Sequence, residues 1–298
     1  MSKTFADLVA FLASFSHDPY RFVLAAFPWG EGELAGKSGP DDWQRDVLND
    51  IRDGLRTPDS VIREAVASGN GIGKSALVSW IIIWAMATHE DTRGVVTANT
   101  EAQLRAKTWA ELSKWYRLFI AKDMFHFTAT SIFCVQEGHE RTWRVDAIPW
   151  SKDNPEAFAG LHNQGKRILM LFDEASAIYD EIWNVAEGAM TDSDTEIIWC
   201  AFGNPTRPQG KFYECFHSAK AMWHTRQIDS RSVAISNKQQ LREWEEQYGE
   251  DSDFFKVHVR GIFPSASDNQ LISRQLADGA LRRSWSRSSI SSRRSLSV

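Results

Sequence analysis

Cysteine is scarce in this chain, basic charge is in deficit, and no apolar run is long. The 298 residues include three cysteines, Cys134, Cys200 and Cys215. They lie too far apart for a CxxC zinc knuckle, and their odd number excludes a complete disulfide framework, so a reducing compartment is the simplest reading. Lysine and arginine (34) are outnumbered by aspartate and glutamate (39), giving a formal net charge of −5. Five of the arginines fall between Arg282 and Val298, where there is no acid, so residues 1–281 carry 29 basic against 39 acidic side chains. That excludes the polybasic body of a constitutive nucleic-acid binder; any DNA contact must be local or supplied by an assembly. The N-terminal MSKTFADLVAFLASFSHDPY has an Asp inside its apolar stretch and reads as an amphipathic helix rather than a secretory signal. The apolar run from Ala76 to Ala87 is shorter than the roughly 20 residues a bilayer span needs, so no membrane segment is expected. No internal repeat is visible.

What the chain does have is aromatic bulk: 13 Trp, 17 Phe and 5 Tyr within a sequence that is 43% apolar. That suits a well-packed core, and surfaces that touch bases or partners, in one large or two modest domains. Helices are predicted near Phe5 to Phe15, Tyr20 to Ala26 and Trp43 to Gly54, the last capped by Pro40-Asp41-Asp42. Further on, SVIREAVASGNGIGKS reads as strand, glycine-rich turn and apolar helix. A strand at Gly94 to Ala98 precedes a long helix at Glu101 to Ala121. Phe133 to Val135 and Thr142 to Ile148 read as a strand pair, and RILMLF (Arg167 to Phe172) as a buried parallel strand. A helix at Asp180 to Met190 leads into a strand at Glu196 to Phe202; Trp223 to Ile228 reads as a strand, Gln239 to Tyr248 as a helix, and Phe254 to Phe263 as a last strand-like piece. Strands alternating with helices indicate an α/β domain with a mainly parallel sheet. After Pro264 the composition shifts to Ser and Arg, which bury too little surface to fold alone.

The chemistry concentrates in three places. Ser68 to Ser75, SGNGIGKS, is one residue short of the GxxxxGK[ST] phosphate loop, Ser68 standing where the first Gly is usual. Glycines let backbone N–H groups converge on phosphates and the following helix adds its positive end; Lys74 would reach the β and γ phosphates, and the Ser75 hydroxyl would ligate Mg²⁺. A dinucleotide-type turn through Gly69, Gly71 and Gly73 is the alternative. In RILMLFDEAS, an apolar strand delivers Asp173 and Glu174 to the ligand-binding edge of a parallel sheet. Asp173 would hold Mg²⁺ and Glu174 would deprotonate the attacking water. A third strand ends in FGNPT, where Asn204 and Thr206 either sense the γ phosphate or simply form a Gly-Asn-Pro turn. Upstream, Gln44 can donate to and accept from an adenine edge, while Trp43 reads as core. Arg105, Arg207, Arg141 and Arg144 are all candidates for the cation that stabilises the transition state.

This constellation resembles the ATPase domain of the large terminase subunit, the motor that packages DNA into tailed-phage and related capsids. The resemblance rests on DDWQ, SGNGIGKS, TANTEAQLRAKTW, AFAGLHNQGKRILMLFDEAS, AFGNPTRPQGKFY and YGEDSDFFKVHVRGIFP, which together run from about residue 20 to 264. The loop and the Asp-Glu strand alone would specify only a P-loop ATPase; AGLH and the YGEDSDFF and RGIFP pieces point to terminases. The resemblance implies a P-loop NTPase of the RecA/ASCE type behind an N-terminal helical extension (1–57), with the ATPase domain and linker at 58–264 and a Ser/Arg-rich tail at 265–298. It implies an ATP-driven translocase working as a homo-oligomeric ring at the procapsid portal in the host cytoplasm, with double-stranded DNA, the portal protein and the terminase small subunit as partners.

By the same resemblance, Gln44 serves adenine, and Gly69, Asn70, Gly71, Ile72, Gly73, Lys74 and Ser75 cradle ATP. Ser75 and Asp173 hold Mg²⁺, Glu174 activates water, and the segment around Asn204 couples hydrolysis to movement. Some relatives carry an Arg in the phosphate loop; Asn70 stands there in this chain, which leaves Arg105 of a neighbouring subunit as a candidate. Large terminases normally continue into an RNase H-like nuclease. Here 34 residues follow Pro264, and Asp268 and Asp278 form no acidic cluster, so the nuclease is expected to be missing and LRRSWSRSSISSRRSLSV to be an out-of-frame tail on a disrupted prophage gene. A basic arm that grips DNA is the competing expectation. The alternatives for the whole chain are a remnant that binds nucleotide without packaging, and a helicase-like ATPase, which would need a second arginine-bearing sheet domain.

Overall fold

The computed structural model describes residues 5–57, 60–98, 100–150 and 161–265. Asn99, the AFAG of AFAGLH, Asp268, Asp278 and the Ser/Arg tail lie outside the described residues. Eight strands form one sheet in the order β3-β4-β5-β2-β6-β7-β1-β8. They are β1 (Val61–Ser68), β2 (Arg93–Thr97), β3 (Phe125–Phe127), β4 (Ser131–Cys134), β5 (Arg144–Ala147), β6 (Arg167–Asp173), β7 (Glu196–Gly203) and β8 (His224–Ile228). The run from β5 to β8 is parallel throughout, and β3 and β4 add an antiparallel edge beside β5. β7 lies between β1, which carries the glycine loop, and β6, which carries the Asp-Glu pair. The chain therefore has the α/β fold with a mainly parallel sheet flanked by helices.

The sheet buries both faces, and alternation along each strand assigns its side chains. Leu169 and Leu171 of β6, with Ile198, Cys200 and Phe202 of β7, face one core; Ile168, Met170 and Phe172, with Ile197, Trp199 and Ala201, face the other. The first core is covered by α1 (Phe5–Ala13), α2 (Pro19–Ala26), α3 (Asp42–Gly54) and α4 (Lys74–Thr88). It is also covered by a long helix made of α5 (Glu101–Gln103), a π turn (Leu104–Trp109) and α6 (Ala110–Leu118). α4 is apolar all round because it is central, buried from Leu77 to Thr88. The N-terminal extension is part of this core: Phe22, Val23, Val47, Leu48 and Ile51 pack in the same cluster as α4. The second core is covered by α7 (Asp180–Gly188) and α8 (Lys211–Cys215), around Trp183, Trp199 and Trp223. All three cysteines are buried and free, and among the described residues no helix is long and apolar enough to cross a membrane.

Two expectations change. Phe125–Phe127 pairs with β4 as a strand too short to read from sequence. The Phe254 to Phe263 segment is no strand: after α9 (Lys238–Tyr248) it forms α10 (Asp253–Phe255) and a second π turn, Lys256–Arg260. Ser252 starts it, its Oγ accepting from the Phe255 amide at 3.1 Å. Its last turn then supplies the His258 carbonyl to the glycine loop, a tertiary demand that the alternation of Val257 and Val259 does not reveal.

Candidate active site

Because β6, β7 and β1 are parallel neighbours, the segments that leave their C-terminal ends meet. Asp173 is level with Phe202, and Gly203 with Ala67, the residue before Ser68. A cavity of about 710 Å³ opens there, lined by residues 70–76 of the loop together with Gln44, Glu174 and Asn204.

The loop is built as an amide cradle. Gly71 and Gly73 take left-handed φ of 71° and 87°, conformations that cost an L-residue about 1–2 kcal/mol. The loop is held from behind: the Gly69 amide donates to Ile228 O (3.1 Å) and the Asn70 amide to His258 O (2.8 Å), while Ser230 Oγ donates to Asn70 O (2.8 Å). The amides of Gly71 through Ala76 donate to no protein acceptor among the described residues, at the positive end of α4. A Cβ on Gly69 would lie 2.2 Å from Ser230 Oγ and 2.3 Å from Val259 O. Gly69→Ala is therefore expected to destabilise the fold by about 1–3 kcal/mol, an overpacking cost read from the urea unfolding midpoint.

Lys74 Nζ donates to Ser68 Oγ (3.0 Å), Gly69 O (3.3 Å) and Asn204 Oδ1 (3.4 Å). Ser68 Oγ donates in turn to Gly69 O (3.0 Å). The serine that departs from the usual loop pattern is thus a partner for the lysine, a role its sequence position did not announce. Burial lowers the Lys74 pKa, with the Glu174 and Asp173 charges opposing. Asn204 Nδ2 donates to Ser68 O (2.7 Å), so Asn204 binds both the loop and its lysine.

Asp173 is buried, and burial raises its pKa against the hydrogen bond from Thr108 Oγ1. Its other oxygen accepts the Glu174 amide at 3.0 Å. Glu174 itself sits at φ 53°, ψ 42°, a strained conformation of the kind that collects at functional sites, and its side chain lines the cavity. Lys107 Nζ lies 3.8 Å from Glu174 Oε1. Ser75 lines the cavity too, and its hydroxyl has no protein partner among the described residues. A free hydroxyl and a carboxylate are hard oxygen donors of the type Mg²⁺ takes.

Gln44 is buried with both ends of its amide engaged. Oε1 accepts from the Asp41 amide (2.8 Å), closing a capping box on α3, and Nε2 donates to Gly73 O (3.0 Å). One N–H and one lone pair remain for a ligand. Trp43 is core, as read. Trp29, Trp80 and Trp115 pack together with centroids 4.9–5.8 Å apart and line the cavity.

The candidate arginines do not line this cavity. Arg105 pairs with Glu101 one turn back on its own helix (2.7 Å); Arg144 hydrogen-bonds Asp146 (2.9 Å); Arg141 is exposed; Arg207 lies 5.8 Å from the Tyr179 ring. The cations that do line it beside Lys74 are Lys37, Lys107 and Lys114, none of which the sequence had singled out as a candidate. Thr206 instead meets the segment after Glu174: its amide (3.1 Å) and hydroxyl (3.0 Å) both reach Ser176 Oγ.

No family model matches the sequence. A probable terminase large subunit of Enterobacteria phage P7 is 27% identical over 256 residues, 81% of this chain and 49% of that protein. The chain is a homologue of the phage terminase large subunit. It spans about half the length of that relative. The fold of this terminase homologue is that of solved terminase ATPase domains. The ATPase domain from Thermus phage P74-26 superposes with a TM-score of 0.51 at 14% identity, covering 79% of this chain and 99% of that one. The HK97 bacteriophage large terminase gives 0.61 at 12% identity over 88% of this chain and 58% of its own. The large terminase of a thermophilic bacteriophage, in complex with ADP, gives 0.54 at 15% identity, over 76% of this chain and 54% of its own.

Proposed function

We propose that the chain hydrolyses ATP to drive double-stranded DNA into a phage capsid, as the ATPase of a large terminase. The observation that carries this reading is the row of open amides from Gly71 to Ala76 in one cavity with Lys74 and Glu174. The amides hold the β phosphate, and Lys74 leaves Ser68 to span the β and γ phosphates. Ser75 and Asp173 would hold Mg²⁺, which would supply positive charge against the phosphates. Glu174 orients water in line with the γ phosphorus and takes its proton as the water oxygen bonds to phosphorus and the bond to the ADP oxygen breaks. The tryptophan wall and the remaining valences of Gln44 suit an adenine base. Asn204 loses its lysine partner when Lys74 turns to phosphate, and through Ser176 the FGNPT segment feels the change, which is the coupling step. A ring of subunits on a portal, a small-subunit partner and DNA contacts made by local patches complete the proposal.

Lys74→Ala tests the nucleotide reading. It removes a charge-assisted contact worth about 1.5–3 kcal/mol and is expected to weaken ADP about tenfold or more in isothermal titration calorimetry. An unchanged affinity would place the nucleotide elsewhere.

A further inference from the structure

The helix after β2 widens at Leu104–Trp109 into a π turn, a costly irregularity that recurs at functional sites. Two consecutive residues of the turn reach the two consecutive carboxylates at the end of β6. Thr108 is buried and its hydroxyl donates to Asp173. Lys107 extends into the cavity with its side chain 59% exposed and its ammonium 3.8 Å from Glu174 Oε1. Both contacts to the end of β6 leave from this one turn. Thr108 is thus an anchor that fixes where Lys107 can swing.

The neighbouring cations are differently committed. Lys114 pairs with Glu111 at 3.3 Å, and Lys74 is bound to Ser68 and Asn204 in the loop. Lys107 alone of the three is paired with the carboxylate assigned to the attacking water. While that pair stands, the ammonium occupies the carboxylate that must meet the attacking water. A terminal phosphate carries more negative charge than a carboxylate and offers three oxygens, so it competes for the same ammonium at close range.

We propose that Lys107 is the cation that meets the γ phosphate within the same subunit, and that its ion pair with Glu174 holds that carboxylate away from water until a triphosphate draws the lysine off. This rests on the ATPase reading above. ADP, which has no γ phosphate, leaves Lys107 on Glu174, so the site responds to the triphosphate and rests after product forms. Lys107 moves no proton and forms no bond; it supplies charge where charge develops.

The test uses the full chain with Lys107→Met and Lys107→Arg, measuring ADP and ATPγS affinity by calorimetry and ATP turnover by phosphate release. For Lys107→Met, turnover is expected to fall about 10²-fold or more. ATPγS should weaken about tenfold while ADP is unchanged. Lys107→Arg should recover part of both losses. Because the side chain is largely exposed, folding is not at stake. Wild-type turnover in Lys107→Met overturns the proposal, and so does an equal loss of ADP and ATPγS affinity, which would make the lysine a general nucleotide contact. A wild-type chain that binds neither nucleotide overturns the ATPase reading itself, an outcome the binding measurements keep separate.

Discussion

Glu174→Gln is expected to bind ATP at least as tightly as the unaltered chain does and to turn it over about 10²–10⁴ times more slowly, the usual contribution of a positioned general base. Three features make this substitution clean. The carboxamide has the same shape, so the left-handed backbone at φ 53° and the 3.0 Å bond from its amide to Asp173 are retained. The phosphate cradle belongs to a different strand and does not depend on Glu174. The one contact that changes is the 3.8 Å ion pair with Lys107, whose loss frees that lysine. Single-turnover phosphate release together with equilibrium ATP binding measures both halves of the expectation. Turnover at the wild-type rate would remove Glu174 from the chemistry and leave Asp173 as the remaining carboxylate at this sheet edge.

At the opposite end of the sheet, Arg167→Met should destabilise the fold by about 2–4 kcal/mol, the cost of leaving the buried acceptors around the guanidinium without their donor. Arg167 is fully buried at the start of β6. Its Nε donates to Glu196 Oε2 (2.7 Å), Nη1 to Thr88 Oγ1 (3.0 Å) and Nη2 to Ser16 O (2.9 Å), and the guanidinium lies 4.3 Å from the Trp84 ring. One side chain thus ties the end of α4, the turn after α1 and the first residues of β6 and β7. Burial pushes the Glu196 carboxyl up, but the Arg167 charge and hydrogen bond outweigh it and hold its pKa below the ordinary value. Methionine fills the volume and leaves the Ser16 carbonyl without its donor. Against a total stability of about 5–15 kcal/mol, the loss is large enough to shift the urea midpoint well outside error. A midpoint that does not move would show that the guanidinium's desolvation cost cancels its contacts.

The sequence made the central strands legible for a physical reason. β6 and β7 are covered on both faces, so they read as unbroken apolar runs, and the glycine loop that follows β1 has a spacing that only a backbone cradle needs. The three candidate segments could be placed at one edge because parallel strands deliver their C-terminal ends together. Arg167 was hidden because the run RILMLF looks like any apolar strand with a charged start, and nothing local says that three acceptors wait around that charge. Lys107 was hidden for the converse reason. No motif marks a π turn, and its relation to Glu174 exists only once the helix after β2 is laid across the end of β6. Arg105, two residues away and chosen for its charge, turns to Glu101 instead. Gln44 was recognised as a ligand-capable amide, but its capping box and its bond to Gly73 make it also the tie between the N-terminal helices and the loop.

The contact behind the phosphate loop has a mechanical meaning. Gly69 meets Val259 with no side chain between them, and Gly261 sits where an added Cβ would come within 2.7 Å of Ser68 Cα. Backbone pressed on backbone has little compliance, so tension on the chain as it leaves Gly261 is transmitted to the loop rather than absorbed by rotamers. The junction is a stiff linkage: a displacement at Ile262 reaches the peptide groups of the glycine loop directly.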